Sequence, residues 1–153
     1  EPNEFMLSWC HGAPGILLSR HVLRSAGLAD EQTARELQVA RTSTVAALER
    51  ISNAVADPAA HLCCGVLGLT SLLRIDAEAS GLAVDPAVLA AEANTMSHAK
   101  SSGGYTFFSV DTGSLNLPGL LTGQAGAALA LLEAAETQHS MAQVLSAGLL
   151  PLS

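Results

Sequence analysis

Residues 10–23 read CHGAPGILLSRHVL, and the pattern returns twice: CCGVLGLTSLLRI at residues 63–75 and LTGQAGAALALLEAA at residues 121–135. Each stretch places Gly-x-x-Gly ahead of an apolar run with helical spacing. The leading glycines, Gly12, Gly65 and Gly123, lie 53 and 58 residues apart, a period that points to stacked supersecondary units. Glycines at such a place permit tight turns and close approach of helices.

Between the motifs lie helices of another kind. Asp30 is a cap for a helix running to about Asn53, with Leu37, Ala40, Leu48, Ile51 and Val55 on one face and the charges on the other. Asp85 and Pro86 form an N-cap and first-turn pair for a second such helix, through about Ala99. Each unit therefore reads as an apolar inner helix followed by an amphipathic outer one. The segment SSGGYTFFSVDTGSLNLPGL, residues 101–120, is punctuated by Gly, Ser, Asn and Pro and reads as a long loop, with room for a short strand at Tyr105–Val110.

Composition agrees with an all-α fold. Hydrophobic residues make up 49% of the 153 residues but aromatics only 3%, so the apolar mass is Ala, Leu and Val, which suits helix packing rather than strands. The net charge is −7 and the seven basic residues are scattered, which argues against a nucleic-acid partner. No apolar run reaches the roughly 18–20 residues that span a bilayer, so no stable membrane insertion is expected. The first residues, EPNEFML, are acidic and lack the basic region of a secretory signal.

All three cysteines, Cys10, Cys63 and Cys64, sit in the first two motifs. Adjacent cysteines bridge each other poorly, and pairing either with Cys10 leaves one over, so a reducing cytoplasm and a metal are expected rather than a disulfide framework. If the repeats superpose, Cys10 and Cys63 hold equivalent places at the mouths of neighbouring inner helices, and Cys64 is the counterpart of His11. Helix N-termini favour the thiolate that metals need. Three thiolates suit Zn²⁺. A fourth protein ligand, such as His11 or His61, makes the site closed and structural; an open fourth position makes it catalytic. The third repeat, with Leu121 and Thr122 at these places, offers no ligand.

The motifs WCHGAPG, LCCGVLG and PGLLTGQAG, in this order and across essentially the whole chain, resemble the C-terminal part of lanthionine synthetase cyclase domains: the LanC enzymes and the cyclase halves of the bifunctional LanM synthetases of bacterial lanthipeptide biosynthesis. The resemblance implies an α/α toroid of seven inner and seven outer helices, of which residues 1–153 are about the last three units. It implies zinc held by Cys10, Cys63 and Cys64. Cys64 stands where most members have histidine, which resembles the LanM subset with a Cys-Cys-Gly motif.

The implied activity adds a cysteine thiol of a precursor peptide to dehydroalanine or dehydrobutyrine, forming a thioether ring. The implied partners are that peptide and the rest of the synthetase, its upstream cyclase repeats and dehydratase domain. His11 is the candidate to supply or steer the proton that the product needs, with a polar lining role as the alternative. His21, His98 and His139 read as lining or surface residues, and Trp9 as packing. Two other functions stay open: a module that binds zinc and glutathione without forming rings, and a helical repeat stapled by a structural zinc.

Overall fold

The structure, a computed structural model, describes residues 7–53, 59–104 and 118–135. These residues form five helices and no strand: α1 (Ala13–Ser25), α2 (Glu31–Ser52), α3 (Val66–Ser80), α4 (Pro86–Ser102) and α5 (Gln124–Ala135). Helices α1, α3 and α5 each begin at the first glycine of a motif or directly after it. They pack in a row, α1 on α3 and α3 on α5, while α2 and α4 cover α1 and α3 as a second layer.

The boundaries follow local chemistry. Asp30 caps α2 in a reciprocal box: its carboxylate accepts from Thr33 N–H at 2.7 Å, and Thr33 Oγ1 accepts from Asp30 N–H at 3.2 Å. Asp85 accepts from Ala87 N–H at 2.8 Å, and Pro86 occupies the first turn of α4. Gly81 and Gly103 end α3 and α4 in the left-handed conformation, at φ 64° and 79°. Helix α4 runs to Ser102, so Ser101 and Ser102 belong to the helix rather than to the expected loop. The aromatic run Tyr105–Val110, His139 and Val55 lie outside the described residues.

Why α3 is apolar nearly all round is plain from its neighbours. Leu69 and Leu73 face Leu17 of α1, Leu37 and Leu48 of α2, and Val88 of α4 in one core cluster. Leu67, Leu72 and Ile75 face Ala127 and Ala130 of α5 in another, with Trp9 and Leu18 packed at its edge. Every residue from Val66 to Leu73 is buried. At about 1.5–3 kcal/mol for each large apolar side chain removed from water, the burial of this central helix helps tie the two layers together.

Far along the helices from the motifs, a buried ion network joins three of them. Asp76 of α3, 2% exposed, accepts from His21 Nε2 of α1 at 2.7 Å and from Arg41 of α2 through both Nε and Nη2, the latter at 2.8 Å. His21 is thus a buried partner of a carboxylate rather than a plain lining residue.

Candidate metal centre

The motif loops sit side by side and are stitched through their main chains. Ser8 and His11 exchange N–H···O bonds of 2.9 and 3.1 Å, closing a tight turn that presents Cys10. Gly12 follows at φ 97°, a conformation that L side chains resist, and α1 starts there. In the second motif the chain wraps back on itself, with Gly65 N–H donating to His61 O at 3.1 Å and Val66 N–H to Ala59 O at 2.9 Å. Trp9 N–H donates to Cys63 O at 3.1 Å, and Cys63 N–H to Leu121 O at 2.8 Å.

The second glycine of each motif has one shared task. A methyl group at Gly15, Gly68 or Gly126 would overlap the carbonyl oxygen six residues earlier, that of Trp9, Leu62 or Leu120. In every motif the loop folds down onto the first turn of its own helix, and only glycine leaves room. This common geometry makes the three units structurally equivalent, as the spacing predicts.

The result is that three sulfurs meet. Cys10 Sγ lies 3.5 Å from Cys63 Sγ and 3.8 Å from Cys64 Sγ, and the two neighbours are 3.3 Å apart. All three are free thiols; Cys10 and Cys64 are exposed and Cys63 is half-buried. Two thiolates on one tetrahedral zinc at about 2.3 Å are about 3.8 Å apart, so the donor set fits such an ion with small outward shifts of the closer sulfurs. Among the described residues, these three sulfurs form the one group of three or more His, Cys, Asp or Glu ligand atoms that all lie within 4.8 Å of one another, and no imidazole belongs to it.

The thiols differ in character. Hydrogen bonds from Ser8, His11 and Cys63 lower Cys10 to about 6, well below the usual thiol range. Ser8 Oγ is 3.4 Å and His11 Nδ1 3.3 Å from its sulfur. Burial, followed by its bonds to the other two thiols, pushes Cys63 up to about 12. Cys10, three residues before α1, is acidified as expected, with the side chains of its neighbours as the largest causes, whereas Cys63, equally placed before α3, departs from the expectation because burial dominates there.

The histidines separate cleanly. His11 is exposed beside Cys10. His61 is 4% exposed, and its Nδ1 accepts from Cys64 N–H at 3.1 Å. Burial holds its protonation below the ordinary histidine range. His98 lies on the exposed face of α4. Trp9 packs against the α3–α5 core cluster, as expected. Glu133 of α5, raised to about 7 by burial, sits nine residues past the helix start, about 13 Å along the axis from the motif end. A groove of about 680 Å³ between α1 and α2, lined by Ile16, Arg20, Glu36 and Val39, contains none of the cysteines.

Two layers of helical hairpins that converge three thiols on an open face define a helical-repeat protein with a thiolate site able to hold a metal ion. The family model for lanthionine synthetase C-like proteins matches residues 1–146, and the chain belongs to that family. No curated protein and no solved structure matches it. Among the described residues, no helix is long and apolar enough to cross a membrane.

Proposed function

We propose that this chain is the cyclase part of a zinc-dependent lanthionine synthetase, acting on a dehydrated lanthipeptide precursor. The observation that carries the proposal is the meeting of Cys10, Cys63 and Cys64 on an exposed face in a lanthionine synthetase C-like chain. Residues 1–153 are then the C-terminal portion of a toroidal cyclase domain of the LanM type. The upstream repeats and a dehydratase domain are its covalent partners, in the bacterial cytoplasm.

Cys10, Cys63 and Cys64 are the residues that would hold zinc. When bound there, zinc supplies Lewis acidity that brings a substrate thiol's pKa into the neutral range. The overall reaction forms a C–S bond at the β-carbon of the dehydro residue, releases the thiol proton and returns a proton to the α-carbon. His11 is the residue of this chain assigned to that returning proton, because its exposed ring lies against Cys10 and imidazole exchanges protons near neutral pH. Ser8 and the Ser8–His11 turn hold Cys10 in place. The engagement of His61 with Cys64 N–H, and the exposure of Cys10 and Cys64, favour an open site over a closed structural one.

The test is cyclisation of a dehydrated precursor by the full-length enzyme, read as loss of alkylatable thiols by mass spectrometry. Cys10→Ala should leave every substrate thiol reactive while dehydration by the linked domain continues. Cyclisation by that variant at the wild-type rate would overturn the reading.

A further inference from the structure

His61 and Ser8 hold equivalent places, each two residues before a cysteine of its motif, and both are buried, at 4% and 1% exposure. Both also serve the same main-chain group. In the first motif the N–H of His11, the residue after the cysteine, donates to the carbonyl of Ser8 at 3.1 Å. In the second motif the corresponding N–H, that of Cys64, donates instead to the ring Nδ1 of His61 at 3.1 Å. The His61 carbonyl is meanwhile taken by Gly65 N–H at 3.1 Å. A side chain has replaced a main-chain acceptor at the one loop where the following residue carries a sulfur.

We infer that His61 is a positioning residue for the metal centre, its imidazole fixing the main chain of Cys64 so that the third sulfur points at the other two. The inference rests on the reading of the three cysteines as metal ligands. The Nδ1 that accepts from Cys64 carries no proton, so the ring is the tautomer with hydrogen on Nε2. The loop around it has little slack. A methyl at Gly65 would lie 2.5 Å from His61 N and 2.6 Å from His61 O, so the segment from Ala59 to Gly65 is wound tightly about the ring-bearing residue. Cys64 itself is exposed, and the side-chain contacts of its sulfur are with the two other thiols. Its direction is set by its main chain, and that by His61.

Two substitutions divide the ring's functions. Asparagine at position 61 places a carbonyl oxygen where Nδ1 stands, as many bonds from the main chain. Glutamine carries its amide oxygen and nitrogen one bond further out, near Nε2, and offers no acceptor atom at the Nδ1 position. Outer-shell partners of metal ligands are worth about 10–100-fold in affinity, so His61→Gln should weaken zinc by that factor and His61→Asn by about threefold or less.

The experiment uses the full-length protein, with zinc affinity measured by chelator competition and helix content by circular dichroism. The zinc-loaded protein is then alkylated and the modified cysteines identified by mass. In His61→Gln, Cys64 should become reactive while Cys10 and Cys63 stay protected; in His61→Asn and wild type all three should stay protected. Equal affinity and equal protection in His61→Gln would overturn the assignment. So would a folded His61→Asn protein with a reactive Cys64, which decides the matter even where the glutamine variant does not fold. A wild-type protein that binds no zinc would overturn the metal reading itself, a result that does not depend on any His61 variant.

Discussion

The main-chain N–H of Cys63 donates to the carbonyl oxygen of Leu121 at 2.8 Å. The third motif has no cysteine, yet it anchors the second. Cys63 in turn accepts from Trp9 N–H through its own carbonyl, so one chain of main-chain bonds links all three units. The half-buried sulfur is therefore placed by its neighbours on both sides.

That linkage makes Gly126 sensitive although it is remote in sequence from every cysteine. A methyl there would overlap the Leu120 carbonyl and come 2.9 Å from Leu62 Cδ1, displacing the very loop that holds Cys63. Gly126→Ala should destabilise the protein by about 2–3 kcal/mol, at the upper end for overpacked cores because main chain is displaced. Urea denaturation measures this, with Ala128→Ser on the exposed face of the same helix as the silent control.

Acid stability should depend on Asp76. Burial alone would raise its carboxyl, but the bonds from Arg41 and His21 outweigh this and hold it below the usual carboxylate range. A carboxyl depressed on folding contributes stability that is complete above its unfolded value near 3.9, and that is lost as pH falls through the folded value. Asp76→Asn should cost about 3 kcal/mol at pH 7, and the gap from wild type should narrow steadily below about pH 4. Denaturation at pH 7, 5 and 3 checks this; a gap that stays constant would remove the charge from the explanation.

Replacing Cys64 by histidine asks what the third thiolate does. Cys64 is exposed, so an imidazole has room, and nitrogen serves zinc as well as sulfur does. Zinc should be retained. The centre loses one negative charge, the bound substrate thiol becomes more acidic, and a drop of about one pKa unit reduces nucleophilicity about threefold. Single-ring cyclisation rates at equal zinc content should show this slowing, most for rings that are hardest to close. An equal or faster rate would mean that Cys64 is an interchangeable ligand.

The repeat was legible because its cause is local. Gly15, Gly68 and Gly126 each make room for a carbonyl six residues away, so the same spacing recurs wherever the same loop is built. Asp30 and Asp85 marked their helices for the same reason: a cap is satisfied within three residues. The convergence of the cysteines followed from superposing the motifs. What escaped was carried by groups with no local pattern. Asp76 meets His21 and Arg41 across 55 and 35 residues. The Leu121 carbonyl belongs to the main chain, so the residue type is silent about it. His61 sat close enough to the cysteines to be weighed as a ligand, but its partner is the N–H of Cys64. The contrast between Cys10 and Cys63 depends on which thiol is buried and which has a hydroxyl and an imidazole beside it.

On the proposed reading, these three sulfurs hold one zinc with room for a substrate thiol. Zinc-edge X-ray absorption on the purified full-length protein tests it most directly. The spectrum should show one zinc per chain, bound by three sulfurs at about 2.3 Å and one lighter ligand, with a fourth sulfur replacing that ligand when a cysteine-containing dehydrated peptide is added. Zinc bound by two sulfurs or fewer, or a first shell that the peptide leaves unchanged, would contradict it.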